Sequence, residues 1–81
     1  MNKTQAQIII LLNQVEDMKK NPYFMSGHLG LSFVHIYNNF RALESIGSIT
    51  KTKVKQRSVY NVTDREAVEE ALNVFNNPNT D

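Results

Sequence analysis

The stretch LGLSFVHIYNNFRALESIGSI, residues 29 to 49, decides how this chain folds. Ser32 is a helix-capping residue whose hydroxyl can accept an amide left free in a first turn, and Gly47 suits the left-handed position just past a helix end. Between them Ile36, Phe40 and Leu43 recur at i, i+4 and i+7, which predicts a helix of about residues 32 to 46 with one apolar stripe for a core. Opposite that stripe lie Phe33, Tyr37, Asn38 and Arg41, with Val34 and His35 at the margin. A helix that keeps hydrogen-bonding, aromatic and basic groups on its outer side has something to present to a partner.

Upstream, Asn21-Pro22 supplies a cap and a first-turn proline, predicting a short helix over 22 to 29 that Gly30 ends. Residues 29 to 32 are then a tight turn between two helices. Tyr23, Phe24 and Met25 on the short helix either line a small-ligand pocket or join the core, and such residues are far more often core. Thr4-Gln5-Ala6-Gln7 fits a capping box, and Val15 and Met18 extend Ile8, Leu11 and Leu12 along one stripe, predicting a first helix of about 4 to 19.

Downstream, Ile49 to Lys53 and Ser58 to Val62 are rich in β-branched residues and tyrosine, with Val54-Lys55-Gln56-Arg57 as a polar tip. These strands should pair Ile49 with Val62 and Lys51 with Tyr60. A second capping box, Thr63-Asp64-Arg65-Glu66, opens a last helix with Val68, Ala71, Leu72 and Phe75 as its stripe, ending near Asn76 before Pro78. The expected fold is mainly α with a small β-hairpin, a winged helix-turn-helix in the order α-α-α-β-β-α, with one domain over 1 to 76 and a loose tail over 77 to 81.

Composition agrees with one ordinary globular unit. The 81 residues are 41% hydrophobic and 21% charged, and a chain this short buries roughly 60 to 65% of its extended surface. With no cysteine, neither a disulfide framework nor a thiolate zinc site can reinforce so small a core. The longest apolar run, Ile8 to Leu12, is five residues, against the roughly 18 to 20 that span a bilayer. It follows a polar start and has no small-residue cleavage site, so a cytoplasmic protein is expected. The net charge of +1 hides a segment, residues 48 to 63, with four bases and no acid, followed by residues 64 to 81 with one base and five acids. Lys51, Lys53, Lys55 and Arg57 are therefore either a site for something anionic or simply solvated charges on an exposed hairpin.

The ordered set Leu29-Gly30-Leu31-Ser32, Ile36, Phe40, Leu43-Glu44, Gly47-Ser48-Ile49, Arg57, Tyr60 and Val62-Thr63 resembles the winged helix-turn-helix DNA-binding regulators of the multiple-antibiotic-resistance and arsenic-repressor types. The resemblance covers about residues 22 to 64, and Ser26 falls where those proteins place a small residue at the helix crossing. It implies a sequence-specific double-stranded DNA-binding transcription regulator, a repressor or activator working by occlusion or recruitment at a promoter. It also implies that the helix of residues 32 to 46 enters the major groove while the hairpin tracks the backbone or minor groove. Carried onto this chain, the base-facing positions are Ser32, Phe33, Tyr37, Asn38 and Arg41. Asn38 has the geometry for adenine, Arg41 for guanine or phosphate, and Phe33 or Val34 for a thymine methyl. Lys51, Lys53, Lys55 and Arg57 would neutralise phosphates. The recognition helix here has a single base, Arg41, and an aromatic side. This leaves open a protein-interaction module that docks through Phe33 and Tyr37, and also non-specific nucleic-acid binding. A microbial, plasmid or viral origin fits the small size.

Ile8 to Leu12 point nearly all round a helix, more than one small core can take. A homodimer in which Ile9 or Ile10 meets Val74 or Phe75 is expected, the alternative being that both terminal helices wrap a monomer core. His28 and His35 are seven residues apart with no cysteine or suitably spaced carboxylate, so no metal is expected. Glu16-Asp17 and Glu69-Glu70 are sequence neighbours pointing to different sides of their helices. With no Gly-x-Ser-x-Gly elbow and no phosphate loop among three glycines, neither an enzyme nor a cofactor is expected. Asn2-Lys3-Thr4 and Asn61-Val62-Thr63 match a glycosylation sequon by coincidence if no secretory route exists.

Overall fold

The chain begins with a helix capped by asparagine. In the computed structural model, which describes residues 1–76, Asn2 Oδ1 accepts the Gln5 amide at 2.8 Å and Gln5 Oε1 accepts the Asn2 amide at 3.2 Å. This reciprocal box opens α1 (Lys3–Leu12) two residues ahead of the box expected at Thr4, because Asn2 is itself a strong cap with a glutamine three residues on. The tail expected over 77 to 81 lies outside the described residues.

Helix α1 stops at Leu12, not near residue 19, and a single 3₁₀ turn follows at Asp17–Lys19. The reason lies in what residue 20 must reach. The Lys20 carbonyl accepts the Tyr60 amide at 3.0 Å, and Lys20 Nζ donates to Asn61 Oδ1 at 2.9 Å. An unbroken helix cannot deliver that backbone alongside a strand, so tertiary pairing overrides the helical pattern. Met18, expected in the apolar stripe, is left 70% exposed.

Helix α2 (Pro22–Leu29) starts as its sequence indicates, with Asn21 Oδ1 accepting the Phe24 amide at 2.9 Å and Pro22 in the first turn. It ends at Gly30, which has φ 69°, the left-handed conformation that glycine adopts without a Cβ penalty. Ser26 Oγ then donates to the Leu31 carbonyl at 2.6 Å, tying the helix to the turn. Helix α3 (Phe33–Ser45) is capped by Ser32, whose Oγ accepts the His35 amide at 3.2 Å. Its C-terminus closes in a Schellman arrangement: Gly47 is left-handed, Ser48 N–H donates to the Leu43 carbonyl and Gly47 N–H to that of Glu44.

Strands β1 (Ile49–Val54) and β2 (Arg57–Val62) pair antiparallel with Ile49 opposite Val62 and Lys51 opposite Tyr60, the expected register. The connection is only Lys55-Gln56, with φ 51° and 67°, two residues shorter than the expected tip. Two successive left-handed residues make the type I′ turn that suits strand twist, yet neither residue favours it. Replacing them together by Lys55→Asn and Gln56→Gly is expected to stabilise the fold by about 1 kcal/mol. A higher urea midpoint at unchanged slope checks this.

The last helix, α4 (Arg65–Asn76), is capped by Asp64 and not Thr63: Asp64 Oδ1 accepts the Ala67 amide at 3.1 Å. The Thr63 amide is already committed to the Ser48 carbonyl at 2.9 Å, which closes the base of the hairpin. Helix α4 packs against α1. It buries Ala67, Ala71 and Val74, so the helix is rotated from the expected stripe; Val68 is half-buried, and Leu72 and Phe75 are 43% and 49% exposed. Two alanines at the contact let the helix axes approach closely, which the bulkier stripe would not.

The order is α-α-α-β-β-α, mainly helical with one two-stranded hairpin, the winged helix-turn-helix layout. Ile8, Ile9, Leu12, Met25, Ile36, Phe40, Leu43 and Ile49 form the fully buried centre, and the Tyr60 ring meets Phe40 edge-on at 4.8 Å. Asn39 is the one polar residue buried among those described, and its Nδ2 donates to the His35 carbonyl at 2.9 Å. Among the described residues no helix is long and apolar enough to cross a membrane.

Candidate nucleic-acid interface

Helical geometry divides the non-core surface of α3 in two. With Ile36, Asn39, Phe40 and Leu43 inward, the directly opposite line is Val34, Asn38 and Arg41, spaced i, i+4, i+7. All three are exposed, Val34 at 65%. Neither the Asn38 nor the Arg41 side chain makes a hydrogen bond or ion pair to any described residue. Val34, read from the sequence as marginal, thus sits at the centre of the outward face. Ser32 spends its hydroxyl on the cap and is exposed at the helix entrance.

Phe33 and Tyr37 lie together on the flank of α3, not on the outward line. They form a ladder with Tyr23 of α2: Tyr23 and Phe33 stack at 4.5 Å and 26° between planes, and Phe33 and Tyr37 at 5.7 Å and 19°. Tyr23, expected in the core with Phe24 and Met25, is 76% exposed, while Met25 is buried and Phe24 half-buried. Met25 and Phe24, which packs against the core cluster, follow the core expectation, and Tyr23 departs from it. The first turn of α2 leans on α3 through the Tyr23 ring.

Across from this ladder stands the hairpin. Lys51 and Lys53 share the strand face of Tyr60, Arg57 alternates to the other face, and Lys55 sits in the turn. All four are exposed, and no carboxylate among the described residues lies within ion-pair distance of them. Lys51 Nζ also lies 6.0 Å from the Tyr60 ring centroid. Burial, and then the charges of Glu44 and Tyr37, push the Tyr60 phenol above its ordinary range, so it stays neutral at physiological pH. Between ladder and hairpin runs an open groove of about 980 Å³. Tyr23 and Glu44 are parts of this neighbourhood that the chain's periodicity alone does not reveal, the first because a short helix with a weak stripe has no legible outer face.

The apolar residues expected between subunits separate by burial. Ile9 and Val74 are in the chain's own core, at 0% and 8% exposure, where α1 packs against α3 and α4. Ile10 is half-buried against the core, and Leu72 and Phe75 are the exposed large apolar residues of the terminal helices among those described. His28 stacks on Phe24 at 5.4 Å, and among the described residues no three His, Cys, Asp or Glu side chains gather as a metal site. No protein-family model matches the chain, and no curated protein matches it in sequence.

Proposed function

We propose that this chain is a sequence-specific, double-stranded DNA-binding transcription regulator of the winged helix-turn-helix kind, acting as a homodimer without catalysis. The observation that carries the reading is the outward line of α3, Val34, Asn38 and Arg41, exposed among the described residues and flanked by a hairpin with four exposed bases that no described carboxylate pairs. A major groove about 12 Å wide admits one α-helix, and the early exposed residues of that helix reach base edges. Asn38 offers the paired donor and acceptor that adenine takes, Arg41 a fork for guanine or phosphate, and Val34 a contact for a thymine methyl. Lys51, Lys53, Lys55 and Arg57 supply affinity by displacing counterions.

The homodimer belongs to the same reading. Leu72, Phe75 and Ile10 give the terminal helices an apolar surface, and a twofold axis there sets two copies of α3 against successive major grooves. The preferred fragments should then be inverted repeats with half-sites about one helical turn, roughly 34 to 36 Å, apart. The test is selection of bound fragments from a random duplex pool, followed by anisotropy titration of the selected site. Asn38→Ala and Arg41→Ala should each reduce discrimination at one base position by about 1 to 3 kcal/mol. Equal affinity for every duplex, or a selected preference that both substitutions leave intact, overturns the reading.

A further inference from the structure

The aromatic ladder is not needed for duplex recognition, and its placement suits another ligand form. Tyr23 stacks on Phe33 with one side of its ring, yet remains 76% exposed. A ring held in place by a neighbour while its other face stays open is a preordered stacking platform. Opposite it, across the same groove, stand Lys51, Lys55 and Arg57. Asp17, also on the groove wall, is paired with Lys20 at 3.3 Å, which offsets its charge.

In an undistorted B-form duplex the internal base faces are covered by their neighbours, so an aromatic ring stacks most readily on a base that is unpaired. Cations across from aromatic rings, at groove rather than pocket scale, match a chain that alternates planar bases with phosphates. We infer that the groove between Tyr23 and the hairpin binds single-stranded nucleic acid, one unpaired base stacking on Tyr23 and its flanking phosphates lying against Lys55 and Arg57. Val34, Asn38 and Arg41 face a different direction from this groove. Single-strand binding therefore goes beyond the duplex reading and stands or falls without it.

The probes are a short labelled oligo(dT) and an oligo(rU) of the same length, read by anisotropy at roughly 50 and 200 mM salt. Tyr23 is exposed, so its substitution leaves the core intact. Tyr23→Ala is expected to weaken oligo binding by about fivefold to a hundredfold, the range of one base–aromatic stack. Tyr23→Phe should keep the affinity, because the stack uses the ring and not the hydroxyl. Arg41→Ala should change oligo affinity less than twofold, and Tyr23→Ala should leave duplex affinity in place. Tyr23-dependent binding of either strand supports the inference, and preference between the two reports the joint effect of the 2′-hydroxyl and the thymine methyl on the same site. If neither oligo binds at the lower salt, or if Tyr23→Ala leaves the bound fraction unchanged, the inference is overturned. Equal weakening of duplex and single strand by Tyr23→Ala also overturns it. Oligo binding by a chain indifferent to every duplex would remove the regulator reading and keep this one.

Discussion

Replacing Phe40 with alanine is expected to remove a large share of the stability of this fold. Phe40 is fully buried at the centre of the core, on the inner stripe of α3, and holds the Tyr60 ring edge-on at 4.8 Å. Truncating a phenylalanine in such a site costs about 3 to 5 kcal/mol, made up of lost transfer energy and a cavity the surroundings only partly fill. A domain of this length has roughly 4 to 12 kcal/mol to lose, at about 0.05 to 0.15 kcal/mol per residue. With no disulfide available as a second constraint, the variant should lose from about a quarter of that margin to all of it. Urea unfolding followed by far-ultraviolet circular dichroism reads this as a midpoint lowered in the same proportion. Ile46→Ala is the control. That apolar side chain, 68% exposed just past the end of α3, should cost roughly 1 kcal/mol or less, as surface substitutions do. Similar losses for the two would mean that the core is not centred where α3 meets the hairpin.

The parts of this fold that could be read in the sequence are those where local chemistry and tertiary packing ask for the same thing. Ser32 and Gly47 bracket α3 because a cap and a left-handed glycine do the same job in any context, and Ile36, Phe40 and Leu43 face the core as their spacing requires. The Ile49 to Val62 pairing sets the buried Ile49 opposite the half-buried Val62 at the root of the hairpin. Where the two demands diverge, the pattern misleads. Val15 and Met18 continue an apolar period, but the backbone at Lys20 is needed beside Tyr60, so α1 ends early. On α4, the small residues Ala67 and Ala71 decide which side meets α1, while a hydrophobicity stripe gives most weight to the large residues that end up half-exposed. The tip is legible in position but not in type, since Lys55-Gln56 lacks the residues that normally announce a type I′ turn.

The candidate interface divides the same way. Asn38, Arg41 and the four hairpin bases stand exposed as expected, because polarity on a periodic helix and charge on a hairpin are both visible in one dimension. The chain's pattern groups Phe33 and Tyr37 with them on the outer side, but about 100° of rotation around the helix axis, one residue step, sets them on the flank against Tyr23. That partner lies ten residues upstream of Phe33 across a turn, and only the crossing of α2 and α3 brings the rings together.

The largest expected effect on binding comes from the hairpin. With Lys51, Lys53, Lys55 and Arg57 all changed to alanine, the net charge falls from +1 to −3 (1 − 4), and the groove side of α3 loses its cationic flank. If each base neutralises one phosphate, the dependence of log K on log salt should flatten by about 3.6, four times the roughly 0.9 per contact of duplex DNA. Affinity at low salt should drop on the order of a thousandfold. All four side chains are exposed, so the dichroism spectrum should be unchanged. The ranking of duplex sequences should also persist, because phosphate contacts position the protein without reading bases. Single substitutions resolve the geometry further: Arg57 lies on the opposite strand face from Lys51 and Lys53. A duplex that passes only one face of the hairpin would give Arg57→Ala no effect on the slope and the quadruple variant a loss of about 2.7. Arg65→Ala, an exposed base at the start of α4, serves as the charge control and should leave the slope within error of the parent. A quadruple variant with the parent's salt slope would show that the hairpin charges face only solvent, and duplex affinity would then have to arise from α3, where Arg41 is the single basic residue.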